Sequence, residues 1–182
     1  HYPALRNTVI LPKGRDSHSF EIKAGCERGY VTANAIEMPE GGIVTRLVNG
    51  RLAVRDGVVC GDTKAVILPI FVAERFGRSG EIGSGFIKGL GIKKGAVASS
   101  TAQEGNNIVV SGASFDDMLL AVKAVQNAGG GSAVCVDGKL IALRPMPFCG
   151  IMGTGSIGEE IAAEEKFSEG LKATGSENPM QM

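Results

Sequence analysis

Asx-Gly dipeptides divide the β-branched runs of this chain into short segments. Both residues of such a dipeptide accept the positive φ angles of a type I′ turn, so this pattern predicts antiparallel hairpins. The 27 glycines follow no fixed period, which fits many tight turns between short strands. The dipeptides concerned are Asn49-Gly50, Asp56-Gly57 and Asp137-Gly138.

Four other segments are assigned from hydrophobic pattern and glycine content. Residues 19–23 are predicted to form a first strand, and residues 106–112 a later one. Residues 65–80 begin with apolar side chains at nearly every position, as in a strand or a short helix buried on both sides, and the pattern does not separate the two. Residues 80–102 carry a glycine every few positions through Gly95, which predicts a loop that approaches something closely.

Two segments have the signals of helices. In residues 114–131, Ser114 can cap the first turn, two aspartates follow it, and Gly129 ends the apolar repeat. Residues 159–173 have a second amphipathic pattern. Adjacent antiparallel strands and hairpins with only two main helices predict an α+β fold.

Length and charge limit the domain count and the classes of partner. The 182 residues suffice for one good core, and we expect residues 1–18 to form an extended arm and residues 19–182 a single α+β domain. Nineteen basic residues balance nineteen acidic ones, so no net field attracts nucleic acid or anionic lipid. No apolar run approaches the roughly 20 residues of a membrane span. We therefore expect a small-molecule or protein partner.

Cysteine spacing favours a reducing compartment. Cys26, Cys60, Cys135 and Cys149 are far apart and form no C-x-x-C pair. Packed, reduced thiols in a cytoplasmic protein are therefore favoured over a disulfide framework or a zinc site. No secretory signal is visible, and a chain that begins at His1 is expected to be part of something larger.

Common catalytic motifs are weak or missing. Residues 153–158 read G-x-G-x-x-G, but Pro145 and Pro147 interrupt the strand that a dinucleotide site requires before it. The two histidines, His1 and His18, belong to no H-x-H pair and no H-E-x-x-H helix. We therefore expect no metal ligands, no bound cofactor and no catalytic residue in this chain.

A polar cluster interrupts the apolar pattern between residues 100 and 112. Its side chains either satisfy backbone groups of a local turn or reach into a pocket, and the residues alone leave both open. The cluster consists of Gln103, Glu104, Asn106 and Asn107.

The chain resembles the C-terminal domain of the bacterial adenine deaminases, in the amidohydrolase superfamily. The resemblance is carried by residues 74–102 ("ERFGRSGEIGSGFIKGLGIKKGAVASSTA") and by "NNIVVSG" after them. Further matches are "YPALRNTVILP", "LRPMPFCGIM" and "ENPMQM". They extend over essentially the whole chain.

The resemblance implies a companion domain to a (β/α)8 barrel that is N-terminal to it and absent here. Such enzymes convert adenine and water to hypoxanthine and ammonia, in purine metabolism, with a water activated by manganese or iron in the barrel. It also implies a homo-oligomer, an isolated chain without activity, and truncation at both ends.

Three positions depart from the family pattern. Phe76 stands in an E-R-H-G motif, and Gln103 and Asn106 stand in an A-H-D-S-H-N motif, each where the resemblance leads us to expect histidine. Amides can hydrogen-bond a purine edge but do not titrate near neutrality. Two alternatives therefore stay open: an aminohydrolase acting on another amino-substituted ring or cyclic amide, and a non-catalytic binding or scaffolding module.

The resemblance also gives the candidate residues for the substrate pocket, which we expect to face the barrel. They are Arg75, Lys88, Ser100, Gln103, Glu104, Asn106 and Asn107.

Overall fold

The computed structural model describes residues 5, 8–38, 44–102 and 105–176. Its strands are β1 Arg28–Glu37, β2 Arg46–Arg55, β3 Val58–Val59, β4 Ile67–Ala73, β5 Ile82–Lys88, β6 Ala96–Ser99, β7 Ile108–Gly112, β8 Gly131–Val136 and β9 Lys139–Pro145. Its helices are a 3₁₀ turn at Ser17–Phe20, α1 Phe115–Asn127 and α2 Ile157–Lys172. The strands form one sheet in the order β3-β2-β1-β5-β4-β7-β6-β8-β9, in which only the β1–β5 pairing is parallel. The predicted α+β fold is confirmed.

Helix α1 forms where the sequence predicts it. The Ser114 side chain accepts a hydrogen bond from the Asp117 amide at 3.2 Å, which caps the first turn. Gly129, with a φ of 75°, follows the last turn. The buried face of the helix packs on β6, β7 and β8 and carries Met118, Ala121, Val122 and Val125.

Helix α2 begins with a capping box. Ser156 accepts from the Glu159 amide, and the Glu159 carboxylate accepts from the Ser156 amide at 2.7 Å. The Gly155 amide donates to the Glu160 carboxylate at 3.1 Å. These amides of the G-x-G-x-x-G segment are therefore already bonded to carboxylates. None of the described helices is long and apolar enough to cross a membrane.

The sheet has apolar side chains on both faces. One face packs on α1 and on Phe20, whose ring meets Phe71 edge-on at 5.5 Å. Val9 and Leu11 are buried in the same cluster, so the described residues of the N-terminal arm contribute to the core. The other face packs on α2 through Phe167, Leu171 and their neighbours. A third cluster lies under β1 and β2.

Two of the three predicted dipeptide turns are present, and one is wrong. Asp56-Gly57 and Asp137-Gly138 have positive φ angles and connect antiparallel strands. Asn49-Gly50 instead lies inside β2, within ten consecutive residue pairs with β1. A side chain at Gly50 would collide with Ile67, so close packing explains this glycine. Long-range pairing here overrides the local turn preference.

Two further segment assignments are also wrong. Residues 80–102, predicted as a loop, contain β5 and β6. Gly83 and Gly85 still form strand because seven residue pairs join β5 to β4. Residues 19–23 are not a strand: Asp16 caps the 3₁₀ turn, and a single isolated bridge joins Lys23 to β3. Residues 67–73 form a strand; the sequence pattern had left a strand and a short helix open for this segment.

Gly112→Ala tests the packing of the central sheet. A Cβ at this position would lie 2.5 Å from the Cα of Ala96 on the neighbouring strand. Since neither backbone can move without breaking the ladder, we expect the free energy of unfolding to fall by about 1–3 kcal/mol. Urea denaturation measures the change.

Gly83→Ala is the matched control, because the nearest atom would lie 3.9 Å from its Cβ. Here we expect no loss, or a gain of up to about 1 kcal/mol from the lower entropy of the unfolded chain. Equal destabilisation by the two changes would contradict the packing at β6–β7.

Candidate functional site

The Arg75 side chain joins three separate segments of the chain. It follows β4 and is only 1% exposed. Its Nη1 donates to the carbonyl and hydroxyl oxygens of Thr8 at 3.3 and 3.0 Å. Its Nη2 donates to the Cys149 carbonyl at 2.9 Å, and its Nε donates to the Asn106 carbonyl. One guanidinium therefore joins three segments: the N-terminal arm, the turn at residues 105–107, called the polar turn below, and the loop after β9.

The positive charge of Arg75 has no anionic partner. In the described ranges, no carboxylate lies within ion-pair distance of it. Burial lowers the pKa of the guanidinium, and the nearby Cys149 thiol opposes this shift. The Phe76 ring lies 4.5 Å from the guanidinium carbon, in a cation–π contact. Backbone carbonyl dipoles and one ring thus replace a counter-ion.

The polar turn is held from both sides. The Asn106 amide donates to the Ala102 carbonyl at 2.8 Å, and Asn106 has a φ of 46°, which asparagine tolerates better than most residues. The Asn107 Oδ1 atom is buried and lacks a hydrogen-bond donor in the described part of the chain. It is therefore an acceptor without a partner. Gln103 and Glu104, predicted for the same site, lie outside the described residues.

Ser100 supports the loop that Arg75 contacts. Its side chain is fully buried; the hydroxyl donates to the Gly150 carbonyl at 2.5 Å and accepts from the Gly131 amide at 2.8 Å. A side chain at Gly150 would collide with the Arg75 guanidinium. Both hydrogen-bonding capacities of the Ser100 hydroxyl are occupied by backbone groups, so Ser100 positions this loop.

Lys88 lies away from the other candidates. It pairs with Glu37 at 2.7 Å across the parallel β1–β5 contact, and this hydrogen bond lowers the pKa of Glu37. In the β4–β5 ladder, Lys88 lies opposite Ile67, whereas Ala73, two residues before Arg75, lies at the other end. At the usual rise per residue, the ladder separates Lys88 from this end by roughly 20 Å. The structure groups Arg75, Ser100, Asn106 and Asn107 without Lys88.

Glu74 contributes to the site but was not among the predicted site residues, although it begins the E-R-H-G motif. Burial raises the pKa of its carboxyl, but hydrogen bonds from the amides of Gly80, Phe76, Arg78 and Ser79 outweigh this and hold the pKa below its usual value. Glu74 thereby shapes the turn that carries Phe76. Thr8 and Cys149 were missed as well: Cys149 acts through its backbone oxygen, which any residue type supplies, and Thr8, which also uses its hydroxyl, lies 67 residues from Arg75 in the sequence.

Metal-ligating side chains do not converge in this region. Across the ranges that the structure describes, no three His, Cys, Asp or Glu side chains are arranged to hold a metal ion. His18 is exposed and bonded to Glu21 at 2.7 Å. The described residues therefore do not fit the divalent metal that the resemblance implies, and we assign no step through a metal to them.

Comparison with known families decides the relationship of the chain. The family model for the adenine deaminase C-terminal domain matches residues 42–182. The chain belongs to this family. The family match thus confirms the resemblance to the adenine deaminase C-terminal domain that the sequence motifs indicated.

Individual adenine deaminases align over most of the chain. An adenine deaminase from Dehalococcoides mccartyi is 38% identical over 151 residues, which is 82% of this chain and 26% of that protein. Adenine deaminase 1 from Latilactobacillus sakei is 35% identical over 96% of this chain and 29% of its own length. The adenine deaminase from Moorella thermoacetica is 35% identical over 89% of this chain and 27% of its own. The chain thus spans between a quarter and three tenths of these relatives.

Replacing Arg75 tests whether it joins the three segments. Arg75→Met leaves the carbonyls of Thr8, Asn106 and Cys149 without their donor, so we expect the free energy of unfolding to fall by about 3 kcal/mol. Arg75→Lys keeps the charge but not the planar fork and should lose less. Urea denaturation measures both changes.

The control is Arg78→Met, three residues later and exposed. A surface change of this kind is expected to alter stability by less than about 0.5 kcal/mol. If Arg75→Met and Arg78→Met had the same small effect, Arg75 would not be the residue that joins these segments.

Proposed function

We propose that this chain is the C-terminal domain of an adenine deaminase that converts adenine and water to hypoxanthine and ammonia. The family match over residues 42–182 carries the proposal, together with relatives named adenine deaminase that align with up to 96% of the chain. The relatives are several times longer. The catalytic barrel is therefore assigned to a further N-terminal part of the protein, on which this domain docks.

In this proposal, the polar turn at residues 105–107 forms one wall of the substrate pocket, and Gln103 and Glu104, which lie outside the described residues, are proposed for the same pocket. The buried hydrogen bonds of Arg75 support a fixed position for the turn at Asn106. The unpartnered Asn107 Oδ1 supplies an acceptor. A purine with an exocyclic amino group offers a donor that such an amide oxygen accepts. Because the Oδ1 atom is buried in the described domain, binding of this edge requires the turn to expose it, and would then supply the donor that Asn107 lacks among the described residues.

The metal belongs to the rest of the proposed enzyme. When bound there, a divalent manganese or iron ion supplies an activated water as the nucleophile. The residues described here orient the ring and exclude water from it. We also propose a cytoplasmic homo-oligomer; the four free cysteines support the reducing compartment.

A second candidate is an aminohydrolase for a different amino-substituted ring or cyclic amide. It is favoured by Phe76, whose side chain is 41% exposed and stacked on Arg75 where the family resemblance leads us to expect histidine. A phenyl ring cannot transfer a proton. A substrate that needs no proton transfer at this edge would fit the replacement.

Ammonia release decides between the two substrates. We expect the full-length protein, loaded with manganese or iron, to release ammonia from adenine when offered a panel of purines and cyclic amides. Release only from another ring would favour the second candidate. Opening of a cyclic amide releases no ammonia, so loss of each ring is followed in parallel by chromatography. If the metal-loaded protein neither releases ammonia from any ring nor opens any cyclic amide, both candidates are overturned and a binding module is favoured.

Asn107→Ala tests the pocket role of the turn. Removing the unpartnered acceptor should lower kcat/KM for the accepted substrate by about tenfold to a hundredfold, the usual effect of one lost hydrogen bond to a substrate. Steady-state ammonia release measures the change. Asn49→Ala, on the exposed side of β2, is the control and should leave the kinetics unchanged. Identical kinetics for Asn107→Ala and the unchanged protein would remove the turn from the pocket.

A further inference from the structure

A cleft of about 590 Å³ lies beside the exposed side of β2. Its lining includes Tyr30, Arg51, Arg55, Lys64 and Phe115. Phe115 also packs against the core, whereas the other four belong to neither the core nor the proposed deaminase pocket. The volume falls within the range of pockets that hold small molecules in proteins.

The cleft concentrates positive charge on a chain that is neutral overall. Its lining includes Arg51, Arg55 and Lys64, against one carboxylate from Asp62. Asp62 Oδ1 accepts from the amides of Lys64 and Ala65 at 2.9 and 3.0 Å, which fixes the carboxylate but leaves its charge, so three cations face one anion. Concave surfaces lined by one sign of charge focus the field and attract the opposite sign.

Two cations of the cleft, Arg55 and Lys64, form no ion pair with the described residues. Across the described ranges, no carboxylate lies within ion-pair distance of Arg55 or Lys64. Arg55 also lies directly opposite Arg28 in the β1–β2 ladder. Like charges opposite each other destabilise a sheet. Arg28 pairs with Asp56 at 3.4 Å, which offsets part of this repulsion, whereas Arg55 has no such partner in the described ranges and is available to a bound anion.

Helix α1 begins beside the cleft. Ala113 and Phe115, which line the cleft, flank the N-cap residue Ser114 of this 13-residue helix. Asp116 and Asp117 lie in the first turn and offset the partial positive charge of the helix N-terminus. The positive field of the cleft therefore comes from its side-chain cations.

The cleft also holds a planar surface. The Arg51 guanidinium carbon lies 4.3 Å from the centre of the Tyr30 ring, and Tyr30 is 63% exposed. Stacked arginine and aromatic planes bind flat rings, including nucleobases. An anion alone would leave this surface unused, and a neutral ring would leave the cations unused.

We propose that this cleft binds a planar aromatic anion of the nucleoside monophosphate class. Its phosphate lies against Arg55 and Lys64. Its ring stacks on the Tyr30–Arg51 pair.

Equilibrium dialysis of the purified protein with labelled adenosine monophosphate tests the proposal. We expect saturable binding, with adenosine and inorganic phosphate each at least about tenfold weaker, because each satisfies only half of the site. The double variant Arg51→Gln/Arg55→Gln should weaken binding by at least about tenfold. These side chains are exposed, so the variant should fold, as circular dichroism would verify.

Two controls locate the binding. Arg46→Gln removes an exposed arginine at the other end of β2, and Asn107→Ala alters the proposed deaminase pocket. Both should bind adenosine monophosphate as the unchanged protein does. The proposal is overturned if inorganic phosphate binds as tightly as the nucleotide, if Arg46→Gln weakens binding as much as the double variant, or if binding does not saturate.

Discussion

A single buried cation organises the end of the molecule where the polar turn lies. The Arg75 guanidinium is bonded to backbone oxygens of Thr8, Asn106 and Cys149, and no carboxylate is needed. A guanidinium presents five N–H donors in a fixed plane, so it can join several loops by donating to their backbone oxygens. The position of the turn therefore depends on the arm and on the loop after β9 together.

Two cationic regions of the domain differ in how their charges are satisfied. Around Arg75 the donors are bonded to carbonyls, so the residue has a positioning role. In the cleft beside β2, Arg55 and Lys64 have no described anionic partner and face solvent. Satisfied charges stabilise a fold, whereas unsatisfied ones in a concave surface are available to a ligand. For this reason we propose an anionic ligand for the cleft beside β2 and none for the region around Arg75.

Local signals predicted the elements whose determinants are local. The Ser114 cap identified α1, and the amphipathic pattern of residues 159–173 identified α2, although its cap at Ser156 was not predicted. The pairing that places Asn49 inside β2 is made with a distant strand and has no local signature. The same holds for the candidate site. The family resemblance predicted Arg75 and Asn106 as members of one site, but it did not predict Thr8 and Cys149, which lie 67 and 74 residues from Arg75. No short-range pattern encodes those contacts.

The parallel contact between β1 and β5 divides the sheet unequally. Only two residue pairs, Ile36 with Ile87 and Glu37 with Lys88, join the strands β1, β2 and β3 to the remaining six. Within the smaller group, ten pairs hold β1 to β2. Cooperative units separate where ladder bonds are fewest. The three-stranded group, which carries most of the cationic cleft, is therefore held to the other strands mainly by the apolar cluster that it shares with Ile67 and Phe86.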